Sequence, residues 1–256
     1  DSGFNAFPGS TVTMTGATKT TVKTLLTANA AAAATVITIA STAGWAVSDD
    51  LVFATTTRTY TQCEKKTILT VDSGTQVTLT AGLTNAHDGV APTAGEVGNI
   101  TRNVKVRGIS ATLQGYVIFQ TTSTVTVSYV EFTKLGSATA NKRGIDCTAT
   151  TGSCSVTFCA LHDFAVSGSA AFVITGSASS NITFSNNITY LMSGVHLSIA
   201  VTTGTWTADS NLMMMSALLG SANDLAVLSD VGGTFTNNTL VGSTGTGSIK
   251  LQELNG

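Results

Sequence analysis

Short runs of alternating apolar and polar residues recur along the second half of the chain. Val-Thr-Val at 125–127 and Thr-Trp-Thr at 205–207 are examples, and Gly, Ser and Asn separate the runs. Strict alternation over a few residues predicts half-buried β-strands. The runs return about every 20 to 30 residues, which is the period of a solenoid repeat. The other runs are residues 104–106, 156–158, 182–184 and 234–236.

Three of the later runs carry an aromatic residue followed three positions on by Asn or Asp. In stacked coils, an inward aromatic packs on its counterpart one coil away. Asn at the adjacent corner tolerates a left-handed turn and can join an amide ladder. The spacing therefore predicts that the three aromatic residues share one interior column. The pairs are Phe184 with Asn187, Trp206 with Asp209, and Phe235 with Asn238.

These repeats predict an all-β fold, a right-handed parallel β-helix with an N-terminal β-rich cap region. We expect the cap and first coils over residues 1–100 and the remaining β-helix coils over residues 101–256. A β-sandwich is the alternative, but its hairpins usually carry more Pro and more Asn-Gly or Asp-Gly turns. This chain has only 2 Pro residues, and Asn-Gly occurs only at its C-terminal end.

The composition strengthens the β prediction and limits the function. Hydrophobic residues make up 43% and charged residues only 10%, with a formal net charge of -2, so Thr, Ser, Asn and Gly must cover the surface. A nucleic-acid-binding protein would need clustered Lys and Arg, and the longest apolar run is too short to span a bilayer. We expect an extracellular, cell-surface or virion-surface location, without nucleic-acid partners or membrane insertion. The first residues are typical of an excised portion of a longer chain.

Two segments in the first half carry a family pattern. Residues 44–54 place Trp45 before Ser-Asp-Asp and an apolar strand, and residues 96–104 read Glu96-Val-Gly, then Thr-Arg102-Asn103. They resemble the glycine-rich domain and following right-handed β-helix of fibrocystin, of cell-surface hyaluronidase-like proteins and of phage-like repeat proteins. The resemblance covers about residues 35–108 and implies that residues 96–103 lie at the entry to the β-helix.

The same segments suggest structural rather than catalytic roles. Hyaluronan-degrading members of the family carry acidic and basic residues before Glu-Val-Gly, whereas this chain has Pro-Thr-Ala-Gly at 92–95. His87 matches a family His, and we interpret it as a packing or hydrogen-bonding residue. Isolated charges in so neutral a chain need partners. Glu64 and Arg102 are therefore predicted to form a buried ion pair, and Asn103 to occupy a corner.

Few residues remain as catalytic or metal-binding candidates. Asp146 and Asp163 lie in successive repeats and could approach each other as glycosidase carboxylates do, although solvated loop acids are the alternative. Cys154, Cys159 and His162 have a spacing reminiscent of a metal site, but no fourth ligand is apparent. No metal and no cofactor are predicted.

The state of the cysteines indicates whether the protein resides in an oxidising or a reducing compartment. A bridge between Cys147 and Cys154 would close a small loop and suit an oxidising compartment. Buried free thiols lining the solenoid are the alternative, because free Cys is a common core residue.

The sequence thus favours a structural or adhesive β-helical segment of a larger extracellular, filament or virion-surface protein rather than an enzyme. Exposed Thr, Ser and Asn rows could bind glycans weakly. Strand edges at the ends of a solenoid favour self-association or contacts with other chains of a surface assembly. The alternative is a polysaccharide-binding or polysaccharide-degrading β-helix enzyme of the hyaluronidase or lyase kind.

Overall fold

The chain folds as two compact units, which we call the β-helix unit (Asp1–Gly16 and Arg102–Gly256) and the inserted unit (Ala17–Thr101). Strands are numbered in chain order. The computed structural model describes residues 3–110, 114–120, 124–136, 142, 144–147, 152–164, 172–176, 180–201, 204–216, 226–229, 232–241 and 249–252.

Three parallel sheets build the β-helix unit, and each coil contributes one strand to each sheet in turn. Sheet 1 contains β1 (Gly3–Ala6), β10 (Tyr116–Phe119), β13 (Ile145–Cys147), β16 (Phe172–Gly176), β19 (Leu197–Val201), β22 (Ala226–Ser229) and β25 (Ile249–Gln252). Sheet 2 contains β2 (Thr11–Thr15), β11 (Thr124–Ser128), β14 (Cys154–Thr157), β17 (Ser180–Ser185), β20 (Gly204–Asp209) and β23 (Gly233–Thr236). Sheet 3 contains β9 (Val104–Arg107), β12 (Val130–Thr133), β15 (Ala160–Phe164), β18 (Ile188–Met192), β21 (Leu212–Ser216) and β24 (Thr239–Val241).

The predicted parallel β-helix is confirmed by the pairing of these strands. Every strand of sheet 2 pairs in parallel with the strand one coil away, and the register continues without a shift. Alternate residues point into the tube because the side-chain period of a strand is two. The interior is accordingly apolar, with Val127, Phe132, Val156 and Phe184 fully buried.

The first coil is split in the sequence. It consists of β1, β2 and β9, which pair with β10, β11 and β12 of the second coil. Residues 1–16 therefore belong to the β-helix, within the stretch of residues 1–100 that was expected to hold the cap and the first coils. The return of the chain at Arg102 lies next to the predicted boundary at residue 101.

A corner of the first coil accommodates the insertion. The Gly16 backbone N–H donates to the Ser128 carbonyl O at 2.9 Å, just as Tyr129 N–H donates to Thr157 O at 3.2 Å in the next coil. A Cβ on Gly16 would overlap the Tyr129 carbonyl O, so only glycine fits this close approach. The chain thus completes the coil up to Gly16 before it leaves the β-helix.

The inserted unit is an antiparallel β-domain with its own core. Its sheet has the order β3-β8-β5-β6-β7-β4, and Leu51, Phe53, Ile68 and Val97 are among its buried residues. Its strands are β3 (Lys23–Leu25), β4 (Val36–Thr38), β5 (Asp50–Phe53), β6 (Glu64–Ser73), β7 (Gln76–Leu79) and β8 (Glu96–Asn99), with a 3-10 turn at Tyr60–Gln62.

Candidate functional site

The outer face of sheet 2 is a continuous array of short polar side chains, which we call the hydroxyl face. Its two outward columns alternate with the two apolar columns that face the core. Most of its members are exposed or half-exposed. The first column is Thr13, Thr126, Ser155, Thr183, Thr207 and Thr234, and the second is Thr15, Ser128, Thr157, Ser185, Asp209 and Thr236.

The hydroxyl face has a regular spacing and almost no charge. Neighbours within a column lie about 4.8 Å apart, and the two columns lie about 6.6 Å apart along each strand. Asp209 is the one charged residue of the two columns, and its Oδ1 accepts hydrogen bonds from Thr236 Oγ1 at 2.7 Å and Asn237 Nδ2 at 2.9 Å. Such a face offers hydroxyl donors and acceptors to a neutral ligand and little attraction to an ionic one.

An asparagine ladder runs along the corner between sheets 2 and 3. Asn211 Oδ1 accepts from the Asn187 backbone N–H, and Asn238 Oδ1 accepts from the Asn211 backbone N–H, both at 2.9 Å. The amide nitrogen of Asn211 donates to the Phe184 carbonyl O at 2.7 Å, and that of Asn238 donates to the Ala208 carbonyl O at 2.8 Å. The ladder satisfies buried backbone groups that the corner removes from the sheets.

In the second to sixth coils, one residue at this corner turns the chain in the left-handed region. Tyr129, Phe158, Asn186, Ser210 and Asn237 have φ between 53° and 57°, which is uncommon for residues other than glycine. The Tyr129 and Phe158 rings stack with centroids 4.9 Å apart. The corner is therefore repeated coil after coil with different residue types.

The predicted aromatic column differs in one member. Ala208 pairs in register with Phe184 on one side and with Phe235 on the other, so Ala208 takes the place expected for Trp206. Trp206 lies two residues earlier on the same inward face, opposite Gly233, where the missing side chain leaves room for the indole. Asp209 is accordingly on the hydroxyl face.

The ladder residue of that coil is Asn211. The sequence contained the signal, because Asn211 follows Ala208 by the same three positions that separate Phe184 from Asn187. The sequence prediction aligned the repeats on their aromatic residues, which paired Trp206 with Asp209 and overlooked Asn211.

Sheet 3 carries a buried cluster of charged groups, which we call the Glu131 cluster. Glu131 Oε2 accepts from the Arg102 backbone N–H at 2.9 Å and lies 2.9 Å from Lys105 Nζ. His162 stands between two carboxylates, with Nδ1 2.8 Å from Asp163 Oδ2 and Nε2 3.5 Å from Glu131 Oε1. The longer separation exceeds a good hydrogen bond, so Nε2 acts on Glu131 mainly through its charge.

In the Glu131 cluster, neighbouring groups shift the pKa values of Glu131 and His162 more strongly than burial does. Burial alone raises the pKa of Glu131, but His162, the Arg102 N–H and Lys105 together lower this pKa below its ordinary 4.5. Burial alone lowers the pKa of His162, but Asp163 and Glu131 raise it above 6.5. The cluster therefore favours a carboxylate on Glu131 and an imidazolium on His162.

The two predicted glycosidase carboxylates lie on different sheets. Asp146 is buried in sheet 1, paired in register with Ile118, whereas Asp163 lies in sheet 3 beside His162. Asp163 instead shares the imidazole ring of His162 with Glu131.

His87 lies in the inserted unit and is completely buried. Its Nδ1 is 3.0 Å from the Ala54 carbonyl O and its Nε2 is 3.1 Å from Glu64 Oε1. Both partners are acceptors, so the two hydrogen bonds form together only when both ring nitrogens carry a proton. Glu64 also accepts from the backbone N–H groups of Thr84 and Asn85 at 2.7 and 2.9 Å.

Glu64 and Arg102 each bind partners within their own unit. Burial raises the pKa of Glu64, but two backbone N–H groups, Lys66 and His87 lower it to about 2. Lys66 Nζ lies 2.9 Å from Glu64 Oε2. Arg102, within the β-helix, donates from Nε to the Phe158 carbonyl O at 3.0 Å. The ion pair between Glu64 and Arg102 stays a prediction.

Three further residues singled out from the sequence are Trp45, Glu96 and Asn103. Trp45 is buried in the core of the inserted unit and donates from Nε1 to the Thr21 carbonyl O at 2.6 Å. Glu96 Oε1 lies 2.6 Å from Lys23 Nζ. Asn103 is exposed where the chain returns to the β-helix.

All four cysteines are buried and free. Cys147 and Cys154 bring their sulfur atoms to 2.6 Å from each other, whereas the Cys159 thiol lies 3.2 Å from the Thr157 carbonyl O. Among the described residues, no group of three or more His, Cys, Asp and Glu side chains is arranged to hold a metal. No helix in the described part of the chain is long and apolar enough to cross a membrane.

Comparison with known proteins identifies no family for the chain. No family model matches the sequence, and no curated protein matches it significantly, so the resemblance of residues 44–54 and 96–104 stays a prediction. Among solved structures, the chain is similar to the tailspike protein gp49 from Pseudomonas phage LKA1, with 14% identity and a TM-score of 0.31 over 91% of this chain.

Two further tailspikes show the same level of similarity. They are the gp54 tailspike of Acinetobacter baumannii bacteriophage AP22 in complex with capsular saccharide (13% identity, TM-score 0.27, 95% of this chain) and the gp61 tailspike of Pseudomonas phage phi297 (13% identity, TM-score 0.28, 93% of this chain). The chain spans 48%, 55% and 50% of the lengths of the three tailspikes. At these values the similarity carries no functional argument, and the parallel β-helix stands on the strand pairing itself.

Proposed function

We propose that the chain is a stiff structural segment of an extracellular or virion-surface assembly, and that its hydroxyl face contacts uncharged glycans. The continuous register of sheet 2 is the observation that carries the proposal. It makes one rigid object of the coils and aligns their outward Thr and Ser residues into a periodic surface. A face with little charge keeps its properties over a wide range of salt concentration and pH, as a surface appendage requires.

Stiffness follows from the hydrogen bonding. Each coil is hydrogen-bonded to the next through three sheets. The asparagine ladder adds hydrogen bonds at the corner, where the amide nitrogen of Asn211 donates to Phe184 O and to Asn238 Oδ1. Bending the tube would stretch main-chain bonds on one side in every coil. In a solenoid of this kind each repeat rests on its neighbours.

Glycan contact is supported by the chemistry of the hydroxyl face. Sugar hydroxyls both donate and accept, and Thr and Ser hydroxyls do the same. Thr126 and Thr207 are two of the accessible members. Because the two columns contain no aromatic residue, we expect weak individual contacts that gain strength through repetition along a polymer.

The strand edges at the first coil support contacts between chains. Strands β1, β2 and β9 each have a hydrogen-bonded neighbour on one side only among the described strands. Inward residues of that coil, such as Met14 and Val106, are only partly buried. A parallel coil from another chain would satisfy these edges and cover the apolar residues.

A distance measurement tests the stiffness. Spin labels on Thr13→Cys and Thr234→Cys sit five strand spacings apart in one column, or about 24 Å between backbones. The matched pair Thr126→Cys and Thr234→Cys spans four spacings, about 5 Å less. Double electron–electron resonance should give two narrow distributions offset by that amount, and broad overlapping distributions would overturn the proposal. The native cysteines are buried, which directs labelling to the introduced ones.

A binding experiment tests the glycan contact. Neutral and acidic polysaccharides are titrated against the protein in affinity electrophoresis, and retardation by neutral polymers is expected. The double substitution Thr126→Glu and Thr207→Glu should abolish it, whereas Thr18→Glu, at an exposed position of the inserted unit, should not. Absence of retardation by every neutral polymer, or an unaffected double variant, would reject glycan contact at this face.

The same mixtures distinguish contact from cleavage. The engagement of Glu131 and Asp163 with His162 favours a structural role for these acids, so no new reducing ends or unsaturated products should form. Their appearance, and their loss in a Glu131→Gln variant, would favour the alternative of a polysaccharide-degrading enzyme.

A further inference from the structure

Cys147 and Cys154 face each other inside the third coil, which consists of β13, β14 and β15. Their sulfur atoms are 2.6 Å apart, and each residue is 1% exposed. We propose that this pair forms a disulfide that closes the corner between sheets 1 and 2, and that its redox state is set before the coil closes. The proposal concerns a modification site and is independent of glycan contact.

The position of the two residues favours a covalent link. Cys147 ends β13 and Cys154 begins β14, so a bridge between them would join two sheets across one corner. The bridge would close a loop of few residues between the two strands. The register of β13 with β10 and of β14 with β11 already holds both ends of that loop.

The neighbouring coils show what the site requires. In the preceding coil the two equivalent positions are Phe119 and Val125, and the next residue in the Cys154 column is Ile182. All three are buried apolar side chains. A disulfide is apolar and presents no S–H group, so it matches this interior better than two separate thiols do.

The reaction requires an oxidant, for which a low-molecular-weight disulfide suffices. One cysteine thiolate attacks a sulfur of that disulfide, forms a mixed disulfide and releases the first small thiolate. The second cysteine thiolate attacks the protein sulfur of the mixed disulfide and releases the second small thiolate. The two cysteines together lose two protons and two electrons, and the small disulfide becomes two thiols.

Burial controls when this reaction can happen. Thiolate is the reactive form of cysteine, and burial, with the neighbouring Cys154 and Asp146, raises the pKa of Cys147 well above its ordinary value. An oxidant or a reductant also has to reach sulfurs that lie inside the tube. Exchange is therefore slow in the folded protein and fast in the unfolded chain.

Peptide mass mapping tests the bridge. The protein is produced in an oxidising compartment and in a reducing one, denatured, alkylated without reduction and digested. We expect Cys147 and Cys154 to be linked only in the protein from the oxidising compartment, with Cys63 and Cys159 alkylated in both. Alkylation of both Cys147 and Cys154 in the protein from the oxidising compartment would overturn the proposal.

A reduction time course tests the timing. The oxidised protein is treated with dithiothreitol with and without denaturant, and the linked peptide is followed. Survival in the folded protein with rapid loss in denaturant is expected, and equal rates would overturn the claim that folding sets the redox state.

Thermal unfolding adds a second readout. The oxidised protein should melt roughly 5–10 °C above the reduced one, as short-loop disulfides in chains of this size do. The variant Cys154→Val matches the apolar side chains of Val125 and Ile182 in the same column, so it should fold and lose the difference between the two preparations. A difference that persists in this variant would assign the effect to other thiols and overturn the proposal.

Discussion

At the scale of single residues, identity matters most where the tube allows one shape only. Gly233 lies opposite Trp206 in register, and a Cβ there would overlap the indole ring. The Asn211 side chain accepts a hydrogen bond from one buried backbone group and donates one to another. Neither residue would attract notice in a Thr-rich, Gly-rich sequence, yet each fills a position that most residue types cannot.

Asn211→Ala should lower the free energy of unfolding by about 2 to 4 kcal/mol, because it removes the two buried hydrogen bonds that Asn211 makes with the Asn187 N–H and the Phe184 carbonyl. Denaturant unfolding followed by circular dichroism measures the change. The control Asn181→Ala removes an exposed hydrogen bond with Thr205 and should change the stability by no more than about 0.5 kcal/mol. Equal effects of the two substitutions would show that the ladder contributes nothing particular.

Gly233→Ala should destabilise the protein by about 1 to 3 kcal/mol, since the indole of Trp206 must move to make room. Gly74→Ala is the matched control, because no atom lies within 4 Å of a Cβ at that site. Replacing Trp206 with Leu in the Gly233→Ala background should cancel part of the loss, and a double-mutant cycle quantifies the coupling. Strict additivity would contradict the steric explanation.

At the scale of elements, sheets 2 and 3 of the β-helix present different outer surfaces. Sheet 2 presents hydroxyl groups, whereas the first coils of sheet 3 bury Glu131 and His162 on the outward columns. Strand pairing produces both surfaces, because it aligns residues that are about one coil apart in the sequence. The charged cluster also links the stability of these strands to pH.

The pH dependence follows from two opposite pKa shifts. The raised pKa of His162 gives stability that is complete below its ordinary pKa of 6.5 and is lost as pH rises through the folded value. The lowered pKa of Glu131 gives stability that is complete above its ordinary 4.5 and is lost as pH falls through the folded value. Both contributions are complete only between about pH 5 and 6.

Urea unfolding from pH 4 to 9 checks this expectation. The β-helix should be most stable near pH 5 to 6, and His162→Gln should flatten the decline above that range. A decline of the same size in the variant would assign it to another group.

At the scale of the whole molecule, the insertion of residues 17–101 between two strands of one coil is the main organisational feature. The chain leaves and returns at neighbouring points, since a Cβ on Gly16 would lie 2.9 Å from Asn103 Oδ1. Each unit has a separate hydrophobic core. Independent cores and adjacent ends are the features that allow a domain to be inserted or removed.

Replacing residues 17–101 with a short Gly-Ser linker should therefore leave the β-helix folded. The β-sheet circular dichroism spectrum and the protection of the Cys159 thiol from alkylation should both persist. A linker of the same composition inserted after Val127, inside β11 and the core, is the unfavourable control and should unfold the protein. Loss of structure in both variants would show that the β-helix depends on the inserted unit.

The sequence by itself determined the β-helix and much of its interior. Alternation at 125–127, 182–184 and 234–236 depends only on the two-residue period of a strand, so it predicted both the strands and their inward residues. The spacing from Phe184 to Asn187 predicted a corner amide for the same local reason. The hydroxyl rows likewise follow from Thr and Ser at the outward positions of those strands.

The tertiary structure alone decided which residues from different coils meet. Register placed Ala208 rather than Trp206 beside Phe184 and made Asn211 the ladder residue. It brought His162 between Glu131 and Asp163, and it assigned β1 and β2 to the β-helix across an insertion of the length of a domain. Apart from the contact between the adjacent residues His162 and Asp163, these contacts join residues about one coil or more apart in the chain. Their selection depends on packing volumes and backbone hydrogen bonds that no local pattern encodes.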